Sequence, residues 1–297
     1  MPELLPLESG YYIWKYVPSI PASAISAVLW LLASCFLGWR MIRSRVWFCS
    51  PLIFGCFSKI LPSITLYLTL TFVTVEFIGY CARASAANHT NKLMPYIIQS
   101  TFILLPPTLF AATIYICLGR IIILVGGEHL SIVRPRWLTR VFIGGDVFSF
   151  CIQGGAAGLL VMANTNPSMG QLGKWLIILG LATQLISFAL FGLTAVLFYT
   201  RLRRTPTTQS YKVDPAWIQT MYMLYGVSGF IILRSIFRIV EYVMGDDGYP
   251  LTHEWTLYIF DTLPMLAVAG LFYLRYPSNI TLRKAENIEL ESQNLAE

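Results

Sequence analysis

Residues 217–244 read WIQTMYMLYGVSGFIILRSIFRIVEYVM. As a helix rising 1.5 Å per residue this stretch is about 42 Å long, enough to cross a hydrocarbon core of ~30 Å while tilted. Its charges are Arg234, Arg238 and Glu241, at offsets of 4 and 7, so all three share one helical face. Charge is costly in lipid, and that face is expected to point into a bundle. Arg238 and Glu241, three apart, can pair, which leaves Arg234 to find a partner on another helix.

The rest of the chain agrees with a lipid environment. Of 297 residues 56% are apolar and only 12% charged, about half the roughly 25% of a soluble domain, and the mean hydropathy is +0.63. This composition excludes a soluble globular enzyme, a disordered tail and a secreted disulfide scaffold. The six cysteines lie in or beside apolar runs without a C-x-x-C pair, and the three histidines are scattered. Neither pattern is a disulfide framework or a metal site, so buried thiols, no metal and no cofactor are expected. With no basic n-region or cleavage site at the start, the first apolar run is expected to act as an uncleaved signal.

Apolar runs fall near 19–38, 46–83, 94–125, 141–163, 174–200, 217–244 and 253–276. They predict an all-α integral membrane protein of seven transmembrane helices: a short extracytosolic segment 1–18, a membrane domain 19–276 and a short disordered cytosolic tail 277–297. One set of connections carries 13 basic residues, among them Arg40, Arg134, Arg140, Arg201, Arg203, Arg204 and Lys284. The other carries four: Lys15, Arg83, Lys92 and Lys174. The positive-inside rule then places the N-terminus outside and the C-terminus in the cytosol. The sequon Asn88-His89-Thr90 falls on the outer side, so Asn88 is a glycosylation candidate, whereas Asn279-Ile280-Thr281 falls inside. The net charge of +6 is thereby explained by cytosolic flanks, and no basic face for nucleic acid is expected.

Other intramembrane polar residues also form single-face sets. Asp146, Ser149 and Gln153 lie at offsets of 3 and 7; Glu76, Tyr80 and Arg83 at 4 and 7; Glu254, Tyr258 and Asp261 likewise. Gln99 and Gln184 sit in the third and fifth runs. They can act as interhelical glue, or they can line a polar cavity that receives a headgroup or a proton. Two guanidiniums at Arg234 and Arg238 suit phosphate or carboxylate. Pro106-Pro107 frees backbone carbonyls in the third run, and Gly154, Gly155 and Gly158 permit close helix approach. No G-x-x-x-x-G-K-[ST], H-E-x-x-H or G-x-S-x-G occurs.

The same residues carry a resemblance. Glu76-x-x-Gly79-Tyr80-x-x-Arg83, Tyr96-Ile97-Ile98-Gln99 and Ala111-Ala112-x-x-Tyr115-x-x-x-Gly119-Arg120 are followed by Asp146-Val147-x-Ser149-Phe150-x-x-Gln153 and Gly180-Leu181-x-x-Gln184. Arg234-Ser235-x-Phe237-Arg238-x-x-Glu241, Gly245-x-x-Gly248-Tyr249 and Glu254 before Tyr258-x-x-Asp261 complete the series. In order, from Tyr16 to Pro277, they resemble the fungal RTA-like family. The resemblance implies seven membrane helices and a link to toxic-amphiphile resistance and to export of sphingoid long-chain bases, with one branch associated with porphyrin and haem traffic. One departure stands out. Run 46–83 is too long for one span and too short for two, and relatives lack a counterpart of residues 58–74. Joining 46–57 to 75–83 leaves 21 residues, one ordinary span, so residues 58–74 read as a translated intron or a lineage-specific insertion. cDNA across the Phe57–Val75 junction separates these.

The leading expectation is a non-enzymatic plasma-membrane protein that exports or translocates an amphipathic lipid such as a sphingoid base, by a passive or ion-coupled route. Asp146, Glu241 and Asp261 are candidates for an ammonium headgroup, with Arg234 and Arg238 balancing them or holding a phosphate. Gln153, Gln184, Glu76, Arg83 and Gln99 complete the candidate pathway. Asp146→Asn and Arg238→Ala are expected to abolish protection against sphingoid bases without loss of surface expression. The rival is a seven-helix receptor or stress sensor, which a long cytosolic loop would favour; the longest here is about 16 residues, 201–216. An intramembrane hydrolase would need a clustered His/Asp metal set.

Overall fold

The computed structural model describes residue 16 and residues 18–43, 57–87, 93–162, 167–207, 209–210, 216–245 and 248–274. Among these every regular element is helical. Six long helices come first: α1 (Ile20–Arg43), α2 (Phe57–Ala86), α3 (Leu93–Leu124), α4 (Pro135–Met162), α5 (Pro167–Arg204) and α6 (Ala216–Met244). Two short turns, α7 (Tyr249–Thr252) and α8 (Glu254–Leu257), lead through a π-helical turn (Tyr258–Thr262) into α9 (Leu263–Leu274). Segment Glu254–Leu274 forms the last long element of the bundle.

Consecutive helices pack as antiparallel neighbours. Phe72 meets Phe110 and Gly79 approaches Ile103 between α2 and α3. Tyr115 reaches Asp146 and Gly119 faces Thr139 between α3 and α4. Ser149 reaches Gly180 between α4 and α5, Tyr225 reaches Ala195 between α5 and α6, and Phe237 stacks on Phe260 between α6 and the last element. In each pair residue numbers rise on one helix as they fall on the other. The last element then lies parallel to α1, since Ser23 touches Tyr258 and, further along, Phe36 touches Tyr273. Helix α3 is central: two thirds of its most apolar window is buried (67%), against 28–44% in the other apolar helices.

Around an apolar core, the outer surface is also apolar and the interior holds charges, unlike a water-soluble protein. Ile25, Val28 and Leu32 of α1, Val147 and Phe148 of α4, and Trp175, Ile186 and Leu190 of α5 are exposed. Glu76, Arg83, Asp146, Arg234, Arg238, Glu241 and Asp261 are all buried. An outer surface of this kind would aggregate in water and is satisfied by lipid. Among the described residues five helical segments are long and apolar enough to cross a membrane: Ile20–Trp39, Ile98–Leu124, Ser168–Arg204, Trp217–Met244 and Glu254–Leu274. The protein is therefore an all-helical, multi-pass integral membrane protein. Helices α2 and α4, of 30 and 28 residues, are also long enough to cross.

Several helices outrun the apolar windows. α5 continues to Arg204, placing Arg201, Arg203 and Arg204 in its last turn, where cations complement the helix dipole and can reach past the lipid. The connection to α6 shrinks accordingly to 205–215. Arg83, counted above as a loop charge, lies instead in the last turn of α2 and is 1% exposed. Gly126 (φ +65°) and Gly245 (φ +72°) adopt the left-handed conformation that ends α3 and α6. The last element is not one regular helix. Pro264 has no N–H and would clash with the carbonyl one turn back, and the π turn just before it accommodates this, with Leu263 N–H bonding Tyr258 O. Asn88 and the tail 277–297 lie outside the described residues.

Candidate functional site

Three polar groups lie inside the bundle. The central one joins α6 to the π turn. Asp261 uses its two oxygens separately, Oδ1 toward Arg234 Nε and Oδ2 toward Arg238 Nη2. Arg238 also donates from Nη1 to Glu241 Oε2 at 3.0 Å, so it sits between two carboxylates. The i,i+3 pairing within α6 is therefore present, and the partner of Arg234 on another helix is Asp261. Glu76 of α2, 2% exposed, completes the group: Asp261, Arg234 and Arg238 act on it electrostatically. Counted formally, two guanidiniums face three carboxylates.

Arg234 has a second task. Its Nη2 donates to the carbonyl of Ile103 at 2.8 Å. In a regular helix that carbonyl would accept from the N–H of residue 107, but residue 107 is proline. A guanidinium from α6 thus occupies the acceptor that Pro107 frees in α3. Among the described residues this is the one contact in which an intramembrane proline and an intramembrane charge satisfy each other.

The second group closes one end of the bundle. Arg83 pairs with Glu254 at 2.9 Å, donates to Tyr16 Oη at 2.7 Å and to Tyr258 Oη at 3.3 Å, and lies over both tyrosine rings. Glu254 also accepts from Tyr258 at 3.1 Å and from the Ser19 backbone N–H at 2.9 and 3.1 Å. The start of α1, the end of α2 and the start of the last element are tied at one point. Along α2 the set Glu76, Tyr80 and Arg83 runs antiparallel to the last element, since Tyr80 is bonded to Thr262 between the two charged groups. At 1.5 Å per residue, Glu76 lies about 15 Å along the axis from the end of its helix.

The third group is separate and lies along α3, α4 and α5. Tyr115 donates to Asp146 Oδ2 at 2.8 Å, within a packed layer of Phe142, Phe188 and Phe191. Among the described residues no cation pairs with Asp146. Ser149 donates to the Gly180 carbonyl, while Gln153 donates to Ser149 at 3.1 Å and to Gln184 at 3.3 Å. The approach of α4 to α5 is close enough that a Cβ on Gly180 would stand 2.7 Å from Gln153 Cγ. Gln99, 7% exposed, has no hydrogen-bond partner for its Oε1 among the described residues.

The ten candidate side chains are thus all buried, and they divide. Glu76, Arg234, Arg238, Glu241 and Asp261 come together; Arg83 belongs to the end group; Asp146, Gln153 and Gln184 form the third; Gln99 joins none of them. Three participants lie outside the candidate site residues read from the sequence: the Ile103 carbonyl, the Tyr115 hydroxyl and the π turn that carries Asp261. Pro264 was the available signal for the last, and Pro107 for the first. Among the described residues no three of His, Cys, Asp and Glu are arranged to hold a metal ion.

A sequence profile for the family described as RTA1 like protein matches residues 70–284. The chain is 32% identical over 280 residues to Protein RTA1 of Saccharomyces cerevisiae, covering 91% of this chain and 86% of that one. It is 30% identical over 279 residues to Protoporphyrin uptake protein 1 of the same yeast, covering 88% and 90%. With a Sphingoid long-chain base transporter RSB1 of S. cerevisiae it shares 24% over 226 residues, covering 66% and 59%. No solved structure matches. A matching profile over most of the chain, and relatives at 30% identity or more along nearly its whole length, make this protein a member of the RTA1-like family of membrane proteins.

Proposed function

We propose that this protein translocates an amphipathic lipid, with a sphingoid long-chain base as the first class to test, and that it exports such compounds from the plasma membrane without being an enzyme. The carrying observation is the central charge group, in which carboxylates outnumber guanidiniums. Pure packing needs balanced pairs; an acidic excess suits a ligand that brings an ammonium group. Relatives named as a sphingoid long-chain base transporter and as a protoporphyrin uptake protein support transport as the class. No phosphate-binding loop is present in the sequence, so the route is passive or ion-coupled. The substrate is taken to meet Asp146, Gln153, Gln184 and Gln99 along α3–α5 and the central group beside α2 and α6.

In this reading α2 and α4 also cross the bilayer, since each packs antiparallel between crossing neighbours, which makes seven spans. The end holding Arg83 and Glu254 faces outward, and the end holding Arg134, Arg140 and Arg201 faces the cytosol. Residues 58–74, a translated intron or a lineage-specific insertion in this reading, fall within α2. Asn88→Gln should remove a glycosidase-sensitive mass increment from the cell-expressed protein; a wild-type chain with no such increment would turn the assignment of sides against us.

Purified protein in vesicles with a fluorescent long-chain base should accelerate transfer between leaflets, and Asp146→Asn should slow it at least tenfold. Transfer no faster than in protein-free vesicles would favour a lipid sensor instead.

A further inference from the structure

We propose that Glu76 is an exchangeable proton site: its carboxyl carries a proton when no cation is bound and releases it when an ammonium group enters beside it. The assignment follows from who holds whom. Asp261 spends both oxygens on the two arginines, and Glu241 is engaged by Arg238 at 3.0 Å. These four groups form a neutral set, two positive and two negative. Glu76 is the fifth member and has no ion pair or hydrogen bond among the described residues, although it is 2% exposed.

An isolated carboxylate in hydrocarbon is too costly to remain charged, and two carboxylates close together do not both ionise readily. Among the described residues, the ionisable groups acting on Glu76 are Asp261 from the π turn and Arg234 and Arg238 from α6, while α1 and α3 bring none. On α2 itself Tyr80 is bonded to Thr262 and Arg83 is committed to Glu254. Asp261 stands between Glu76's charge and full use of the arginines, so the neutral form of Glu76 is the one that leaves the set balanced.

The exchange conserves charge: a protonated carboxyl and an ammonium give a carboxylate–ammonium pair and one proton to solvent. A cation can then enter the bundle without adding net charge to it. This coupling rests on the translocation reading, whereas the resident proton does not.

The test uses the full chain in phospholipid vesicles at neutral pH. Infrared spectra should show a protonated-carboxyl band that E76Q diminishes, while D146N, which alters the other buried acid without a cation partner, leaves the Glu76 component in place. A second measurement needs no variant: an apolar carbodiimide, which takes up the proton of a carboxylic acid and is then added to by its oxygen, should label Glu76 in the wild type, and peptide mass mapping locates the label. Adding dodecylamine should suppress that label and release protons to a pH-sensitive dye. An infrared band unchanged in E76Q, or labelling that avoids Glu76, overturns the proton site; an amine that leaves the label intact overturns the exchange. A protein that moves no lipid but retains both signals would refute translocation and leave the proton in place.

Discussion

Replacing Arg238 by alanine should destabilise the folded bundle by about 3–5 kcal/mol, the range for removing one partner of a buried ion pair. Arg238 is held between Glu241 and Asp261, and all three are buried. Without it Glu241 has no other partner among the described residues, and Asp261 keeps only Arg234. Glu241 must then take up a proton or draw water into the bundle. By the usual conversion for a chain of this size the melting midpoint in detergent should fall on the order of 10 °C. The geometry therefore revises the expectation that Arg238→Ala spares surface expression. Arg238→Met combined with Glu241→Leu should recover much of the loss, because it removes a positive and a negative charge together. A double variant that melts as low as Arg238→Ala would show that the stranded carboxylate is not what costs stability.

How far this site can be read from sequence depends on the distance over which each contact acts. The α6 set was legible because Arg234, Arg238 and Glu241 repeat at helical spacing in an apolar run, and local spacing fixes a shared face. Pairing between helices was legible only as a need. The sequence requires a partner for Arg234 but does not say that Asp261 is at the same depth, since depth depends on how α6 and the last element slide past each other. The π turn shows why this matters. It adds a residue to one turn, so the spacing of Glu254, Tyr258 and Asp261 ceases to define one straight face. Glu254 accordingly serves Arg83 at the end of the bundle, while Asp261 serves Arg234 and Arg238 deeper inside.

Asp146 illustrates the opposite case. Its set with Ser149 and Gln153 is regular, but the partners chosen are a hydroxyl, a carbonyl and an amide rather than a cation. Composition alone groups Asp146 with the other acids as a site for an ammonium. The structure separates it, placing it across the bundle in an aromatic layer. Arg83 fits two readings in the sequence, a flanking charge and a member of the Glu76–Tyr80 face, and its burial against Glu254 agrees with the second.

The link between Pro107 and Arg234 predicts a coupling that neither residue alone reveals. Arg234→Met should be as damaging as Arg238→Ala, since it strips a partner from Asp261 and leaves the Ile103 carbonyl without its guanidinium donor. Pro107→Ala on its own should change stability little, because it offers an N–H to a carbonyl that Arg234 already serves. In the Arg234→Met background the same N–H becomes the replacement donor, restoring the helical bond from residue 107 to residue 103. An unsatisfied buried carbonyl costs about 1–3 kcal/mol, so Pro107→Ala should be more favourable in the Arg234→Met chain by about that amount. Asp261 would still lack its second arginine, and the double variant should remain below wild type. Melting midpoints of the four chains in one detergent give the coupling directly. Additivity within about 0.5 kcal/mol, the scatter expected of independent sites, would mean that Arg234 does not stand in for the N–H that proline removes.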